Sequence, residues 1–119
     1  MKILVIDDEP LMLKALNFRL SKDGYEVTIA EDGKKALELL DTERFDLIIT
    51  DVMLPFNNGL EIVDFVKNKK AIGTPIIILS AVGAENAVLD GFAIGADDYI
   101  TKPFSPTELS VRVKRLLKT

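Results

Sequence analysis

The sequence has no cysteine and no histidine, only 7 glycines and 5 prolines among 119 residues, and more acidic than basic side chains. Without cysteine there are no disulfides, no thiolate metal sites and no cysteine nucleophile, a composition that suits a reducing cytosol. Without histidine the usual imidazole ligand for zinc or copper is missing, which leaves oxygen ligands and hard cations. Any histidine chemistry in which the chain takes part must come from a partner. With 15 Lys and Arg against 19 Asp and Glu the net charge is −4, so direct nucleic-acid binding is not expected, because that binding relies on clustered basic residues releasing counterions. Residues 1–6 carry one basic side chain before an apolar run cut short by acids, which reads as neither a signal peptide nor a membrane span. The expectation is a soluble cytoplasmic domain with no membrane contact.

What is present is apolar material, 48% of the residues, enough for a layered core in one domain over residues 1–119. Residues 2–6 are apolar and β-rich and stop at Asp7-Asp8-Glu9-Pro10, where Pro10 suits the first turn of a helix and Asp8 or Glu9 its cap. Leu11, Leu13, Ala15, Leu16, Phe18 and Leu20 give that helix a broad apolar face up to Lys22, and Gly24 ends it as a left-handed cap residue would. Residues 25–30 alternate like a strand at or near a sheet edge, and a second helix runs from about Gly33 to Asp41. Leu47-Ile48-Ile49 reads as a fully buried parallel strand that ends at Asp51. A turn-rich loop over 52–59 leads to a third helix with Leu60, Ile62, Val63 and Val66 as its buried stripe and a solvated end at Lys67 to Lys70.

The last third repeats the alternation. A strand over 75–79 runs out at Ser80-Ala81, and a helix over 84–94 is weakened by Gly91 by about 1 kcal/mol relative to alanine. A short strand over 96–101 then turns at Lys102-Pro103-Phe104 into a helix from Ser105 or Pro106 to Leu117, opened by a Ser105/Glu108 capping box. Five strands alternating with five helices mean βαβ units with right-handed crossovers, an α/β fold with a doubly wound parallel sheet covered on both faces.

On this scheme Asp7 and Asp8 end the first strand, Asp51 the third, Ser80 the fourth and Lys102 the fifth. All five share the carboxyl edge, where open α/β sheets bind ligands. Singly each has an ordinary reading: Asp8 caps a helix, Ser80 is a small residue at a strand end, Lys102 is solvated. Jointly they bring acid, hydroxyl and cation to one place. Three carboxylates within a few ångströms repel one another and raise at least one pKa, so the cluster requires a counter-cation. With oxygen ligands alone Mg2+ is the expected ion, since it binds through one or two carboxylates and needs no complete protein cage.

These residues, together with Pro55 and Gly59 after Asp51, Ser80-Ala81, and the run Gly95-Ala96-Asp97-Asp98-Tyr99-Ile100-Thr101-Lys102-Pro103-Phe104, resemble the receiver domain of bacterial two-component response regulators over the whole chain. In the last third, through Asp97, Asp98, Glu108 and Arg112, the likeness is to the winged-helix transcription regulators of the OmpR/PhoB branch. The resemblance implies a CheY-like, flavodoxin-like three-layer sandwich with strand order 2-1-3-4-5. It makes Asp51 the phosphoacceptor, served by the phosphohistidine of a sensor histidine kinase or by a small acyl phosphate. It makes Asp8 a direct Mg2+ ligand and Asp7 one acting through water, with Asp51 and the backbone carbonyl of Met53 completing the protein ligands. Lys102 would pair with phosphoryl oxygens, Ser80 would hydrogen-bond the attached group, and Tyr99 would change rotamer as the readout.

The implied function is a phosphorylation-activated switch, not a turnover enzyme but a phosphoacceptor that assists its own phosphotransfer and dephosphorylation. Its helix 4, strand 5, helix 5 face would control an output domain or a downstream protein. A cis Lys102–Pro103 bond, usual in the family, would aim Lys102 back over the sheet edge, and Phe104 is expected in the core. A phosphorylation-dependent homodimer through salt bridges on the same face is also implied, although Val88 stands where a basic partner is expected and Thr119 at a late arginine position. Asn57-Asn58 departs from the apolar residue and Asp that many members place before the glycine, and removes no catalytic group.

Other classes fit less well. A haloacid-dehalogenase-type phosphatase needs a second acid two residues after its nucleophile, and that position is Met53. A flavodoxin-like cofactor binder would meet phosphate with hydroxyls and amides, where Asp7-Asp8-Glu9 repels it. A degenerate receiver acting as a phosphorylation-independent protein-binding module is opposed by the intact set of acids, hydroxyl and lysine.

Overall fold

The computed structural model describes residues 1–54 and 58–117; Pro55 and Asn57 of the family pattern, and Thr119 of the dimer pattern, lie outside the described residues. Strands β1 (Lys2–Ile6), β2 (Glu26–Ala30), β3 (Leu47–Asp51), β4 (Ile76–Ala81) and β5 (Asp98–Lys102) form one parallel sheet in the order β2-β1-β3-β4-β5. Between and after them run α1 (Pro10–Lys22), α2 (Gly33–Thr42), α3 (Gly59–Asp64), α4 (Glu85–Ile94) and α5 (Pro106–Leu116). This is the doubly wound fold that the alternation of strands and helices predicts, with the strand order that the family resemblance implies.

Two cores follow from the period-2 alternation of side chains along the three inner strands. On one face Leu4, Ile6, Ile48, Ile76 and Ile78 pack with Ala36 and Leu40 from α2, Ile62 and Val63 from α3 and Val66 from the turn that follows it. On the other Ile3, Val5, Leu47, Ile49, Ile77 and Leu79 meet Leu13, Leu16, Leu20, Leu109 and Val113 from α1 and α5. Because both faces are covered, the inner strands are apolar at nearly every position, and polar side chains are displaced to the ends of the strands. That displacement concentrates the chemistry of the domain at one edge. Phe104 packs partly buried against the second core, as expected.

Local signals behave largely as read. Gly24 follows α1 with φ +97°, and the Lys102–Pro103 bond is cis. Ser105 Oγ accepts the Glu108 N–H at 3.0 Å, and β2 lies at the sheet edge.

Three details differ from the reading of the sequence. Neither Asp8 nor Glu9 caps α1 through its side chain: Glu9 occupies the N-cap position without a cap hydrogen bond, because its carboxylate is engaged elsewhere. Leu60 is only half-buried, and Lys67 is not a solvated lysine at the end of α3. The turn after α3, Phe65–Lys69, is π-helical, and Lys67 lies along Gly95, where a Cβ would come within 3.1 Å of its Cγ. So guided, its ammonium pairs with Asp97 at 2.9 Å. Finally, Gly91 is more than a weak spot in α4. A Cβ there would run into Ile78 Cδ1, so the glycine is what lets α4 lie against β4.

Candidate functional site

Asp7 follows β1, and its side chain is fully buried. Its Oδ1 accepts the Glu9 N–H at 3.0 Å and its Oδ2 accepts from Lys102 Nζ at 2.8 Å. Asp51 is the last residue of β3. Its Oδ1 accepts the Met53 N–H at 2.9 Å and its Oδ2 accepts from Lys102 Nζ at 2.6 Å. The backbone beyond it is held by the Val52 N–H on the Leu79 carbonyl at 3.0 Å and by the Gly59 N–H on the Val52 carbonyl at 2.9 Å. Any Cβ at Gly59 would strike the Asp51 carbonyl oxygen, so a glycine is required where α3 starts beside the site.

Lys102 ends β5, two strands away from Asp51, and its side chain reaches back across the edge to β3 and to the end of β1. Asp8, on the loop, is exposed. One carboxylate oxygen from each of Asp7, Asp8 and Asp51 can be chosen so that all three lie within 4.8 Å of one another. Thus the structure brings Asp7, Asp8, Asp51 and Lys102 together at the carboxyl edge.

The electrostatics follow from burial and pairing. Burial pushes the Asp7 carboxyl above its usual range, and the hydrogen bonds from Lys102 and the Glu9 N–H only partly offset it. For Lys102 burial acts in the opposite sense, favouring the neutral amine. Its hydrogen bonds to Asp51 and Asp7, and their charges, outweigh that effect and hold the ammonium above the ordinary lysine range. Lys102 therefore stays charged, and its single positive charge faces the carboxylates of Asp7, Asp51 and Glu9. The set remains net negative and made of oxygen donors, which is the chemistry that suits a hard divalent cation.

Ser80 sits on β4 one residue beyond Leu79, the register partner of Asp51. It is buried, and its hydroxyl makes no hydrogen bond among the described residues. Tyr99, on β5, is half-exposed and stands edge-on to Phe92 of α4, with ring centroids 5.9 Å apart and planes at 87°. Ser80, Val88, Phe92, Tyr99 and Thr101 line one groove of about 330 Å³ between α4 and the sheet. A hydroxyl near the acids and an aromatic on the outer face thus border a common space. Met53 is exposed, with its N–H turned to Asp51.

The charged residues of the dimer pattern are paired within the chain. Arg112 reaches both Asp98 oxygens at 3.0 and 3.1 Å and Glu108 at 3.3 Å, and Arg115 adds a contact to Asp98 at 3.1 Å. Asp97 accepts the Ile76 N–H at 2.8 Å besides pairing with Lys67. Val88 is buried.

The sequence reading missed Glu9 as a member of the site. Its carboxylate lies 3.3 Å from Lys102 Nζ. Three consecutive acids after an apolar strand hint at it, but the partner is 93 residues away and no local pattern points there.

Fold and site together define a doubly wound α/β domain with an acid trio and a lysine gathered at the carboxyl edge of its sheet. The chain belongs to the response regulator receiver domain family, whose match spans residues 3–114. It is 44% identical over 117 residues to the alkaline phosphatase synthesis transcriptional regulatory protein PhoP of Bacillus subtilis (strain 168), a match covering 98% of this chain and 48% of that protein. The transcriptional regulatory protein ResD of the same organism is 44% identical, with the same coverage. The chain thus spans about half the length of these curated relatives. Among solved structures, the receiver domain of the Francisella response regulator 1452 superposes with a TM-score of 0.90 at 39% identity, covering 98% of this chain and 96% of that one. No helix among the described residues is long and apolar enough to cross a membrane.

Proposed function

We propose that the domain is a Mg2+-dependent switch in which Asp51 takes a phosphoryl group from a sensor histidine kinase, or from a small acyl phosphate, in the cytoplasm. The observation that carries this reading is the position of Lys102 Nζ, 2.6 Å from Asp51 Oδ2 and 2.8 Å from Asp7 Oδ2, in a chain of the receiver family. An Asp51 oxygen attacks phosphorus, forming an O–P bond as the P–N bond of the phosphohistidine breaks. The imidazole leaves with the electron pair and takes a proton from solvent. With an acyl phosphate the P–O bond breaks and a carboxylate departs.

A carboxylate is a weak nucleophile and needs no general base, so the rate depends on in-line placement and on positive charge at the transferring group. Lys102 supplies one such charge. Asp8 and Asp51 would hold Mg2+ directly and Asp7 through water, with the Met53 carbonyl as a further ligand. When bound, the ion neutralises the acids and draws charge from the phosphoryl oxygens. Ser80, whose hydroxyl is free to turn, would hydrogen-bond the attached group.

The new dianionic group pulls Ser80 and Lys102 inward and, through the groove that Ser80 shares with Tyr99, biases the α4–β5–α5 face between two arrangements. That face would act on an output domain or downstream protein, or on a second copy in a phosphorylation-dependent homodimer. A dimer would have to exchange the internal pairs of Asp98 and Arg112 for contacts across the interface.

The test is incubation with acetyl phosphate and Mg2+, with wild type and Asp51→Asn compared by intact mass. One phosphoryl adduct on wild type alone is the expected result, and equal labelling of both overturns the assignment. No labelling of wild type by acetyl phosphate or by a phosphorylated kinase would leave a phosphorylation-independent binding module in its place.

A further inference from the structure

We propose that Glu9 is the resting partner that Lys102 releases when a phosphoryl group arrives on Asp51, so that Glu9 acts as a built-in competitor tuning how readily the switch engages. This rests on the phosphoacceptor reading above.

An ammonium group has three N–H donors. Those of Lys102 serve three carboxylates: Asp51 Oδ2 at 2.6 Å, Asp7 Oδ2 at 2.8 Å and Glu9 Oε1 at 3.3 Å. None remains for a phosphoryl oxygen, so contact with the incoming group requires one partner to be given up. Asp51 carries the group and stays within reach. Asp7 is fully buried, and a buried carboxylate deprived of its cation is costly. Glu9 makes the longest of the three contacts, and its side chain is 62% exposed, so water replaces the lysine at little cost.

The placement of Glu9 supports the same role. It stands at the N-cap position of α1, with φ −93° and ψ 113°, yet its carboxylate makes no cap hydrogen bond. Its backbone N–H is fastened to Asp7 Oδ1 at 3.0 Å. Main chain and side chain are thus both committed to the site, the one to a buried acid and the other to the lysine. Its negative charge also opposes every anionic donor that approaches Asp51.

The experiment measures fluoroberyllate binding, in Mg2+, to the intact chain by calorimetry. Glu9→Gln removes the competing charge, and affinity is expected to rise about two- to five-fold, the range an exposed ion pair is worth. Glu9→Asp keeps the charge on an arm one methylene shorter, and is expected to reproduce most of that gain if contact with Lys102 is what matters. The carboxyl 13C signal of Glu9, assigned by its loss in Glu9→Gln, should move to the position of a solvated glutamate when fluoroberyllate is added to the Mg2+-loaded protein.

An unchanged or weaker affinity in Glu9→Gln overturns the proposal. So does a Glu9→Asp protein that matches wild type while Glu9→Gln gains, since the effect would then be charge alone. If wild type binds no fluoroberyllate and is not labelled at Asp51, the phosphoacceptor reading falls and takes this one with it. If wild type binds and is labelled but the Glu9 variants behave identically to it, only the role of Glu9 is lost.

Discussion

Lys102 Nζ lies 2.8 Å from the Oδ2 of Asp7, a carboxylate with no exposure to solvent, and the two residues stand 95 positions apart in the chain. The pair ties the end of β5 to the end of β1 across β3 and β4. Lys102→Ala leaves Asp7 buried without a cation, and breaking buried pairs of this kind is strongly destabilising. A loss of about 2 kcal/mol is expected in Mg2+-free urea denaturation at neutral pH, lower than for a fully enclosed pair because Asp7 can take up a proton. The deficit should shrink as the pH falls. An equal deficit at every pH would show that Lys102 stabilises by packing instead.

Asp7 itself predicts a pH dependence. Its folded-state pKa is raised by burial, so its protonated form is the one that the fold favours. Its contribution to stability is fully present below the unfolded carboxylate pKa and is lost as the pH rises through the raised folded value. At neutral pH, without Mg2+, Asp7→Asn should therefore melt above wild type, and the gap should close in acid. Adding Mg2+ should reverse the order, because only wild type keeps the full set of carboxylates and gains from binding. Thermal melts at two pH values, with and without the ion, give the answer, and a variant less stable than wild type in all four conditions would contradict it.

Gly59 should tolerate no side chain. Its Cβ would meet the Asp51 carbonyl, which is backbone and cannot rotate away. Gly59→Ala is expected to cost about 2 kcal/mol, within the range of overpacking, and to slow labelling of Asp51. At Gly91 the obstacle is the end of a side chain, Ile78 Cδ1. Gly91→Ala should fail to deliver the roughly 1 kcal/mol of helix propensity it offers, and Ile78→Val should recover part of it in a double-mutant cycle. Additive effects of the two substitutions would mean that α4 shifts away from β4 freely.

Asp97 serves two partners of unequal worth. Its Oδ2 accepts the Ile76 N–H at 2.8 Å and pairs with Lys67 Nζ at 2.9 Å. Asp97→Ala leaves the amide without that acceptor and should cost about 1–2 kcal/mol. Lys67→Ala removes only a partly exposed ion pair and should cost less than about 1 kcal/mol. Asp97→Asn, which keeps an acceptor, should fall near Lys67→Ala. Chemical denaturation of the three variants orders them, and a Lys67→Ala loss as large as that of Asp97→Ala would reverse the ranking.

What the sequence determined by itself is the alternation of strands and helices, the burial of the inner strands and the delivery of Asp7, Asp8, Asp51, Ser80 and Lys102 to one edge. These are consequences of periodicity and of where apolar runs stop, both readable over a few residues. The tertiary structure alone decided which partner each charge takes. Glu9 leaves the helix cap for Lys102, Lys67 leaves solvent for Asp97, and Asp98 turns to Arg112 and Arg115 of its own chain. Gly91 likewise owes its place to Ile78, a strand away. Such choices join separate elements, consecutive in the chain or far apart, and their outcome depends on how closely side chains pack and on which charge is cheapest to leave in water, quantities that exist only once the sheet has brought the elements together.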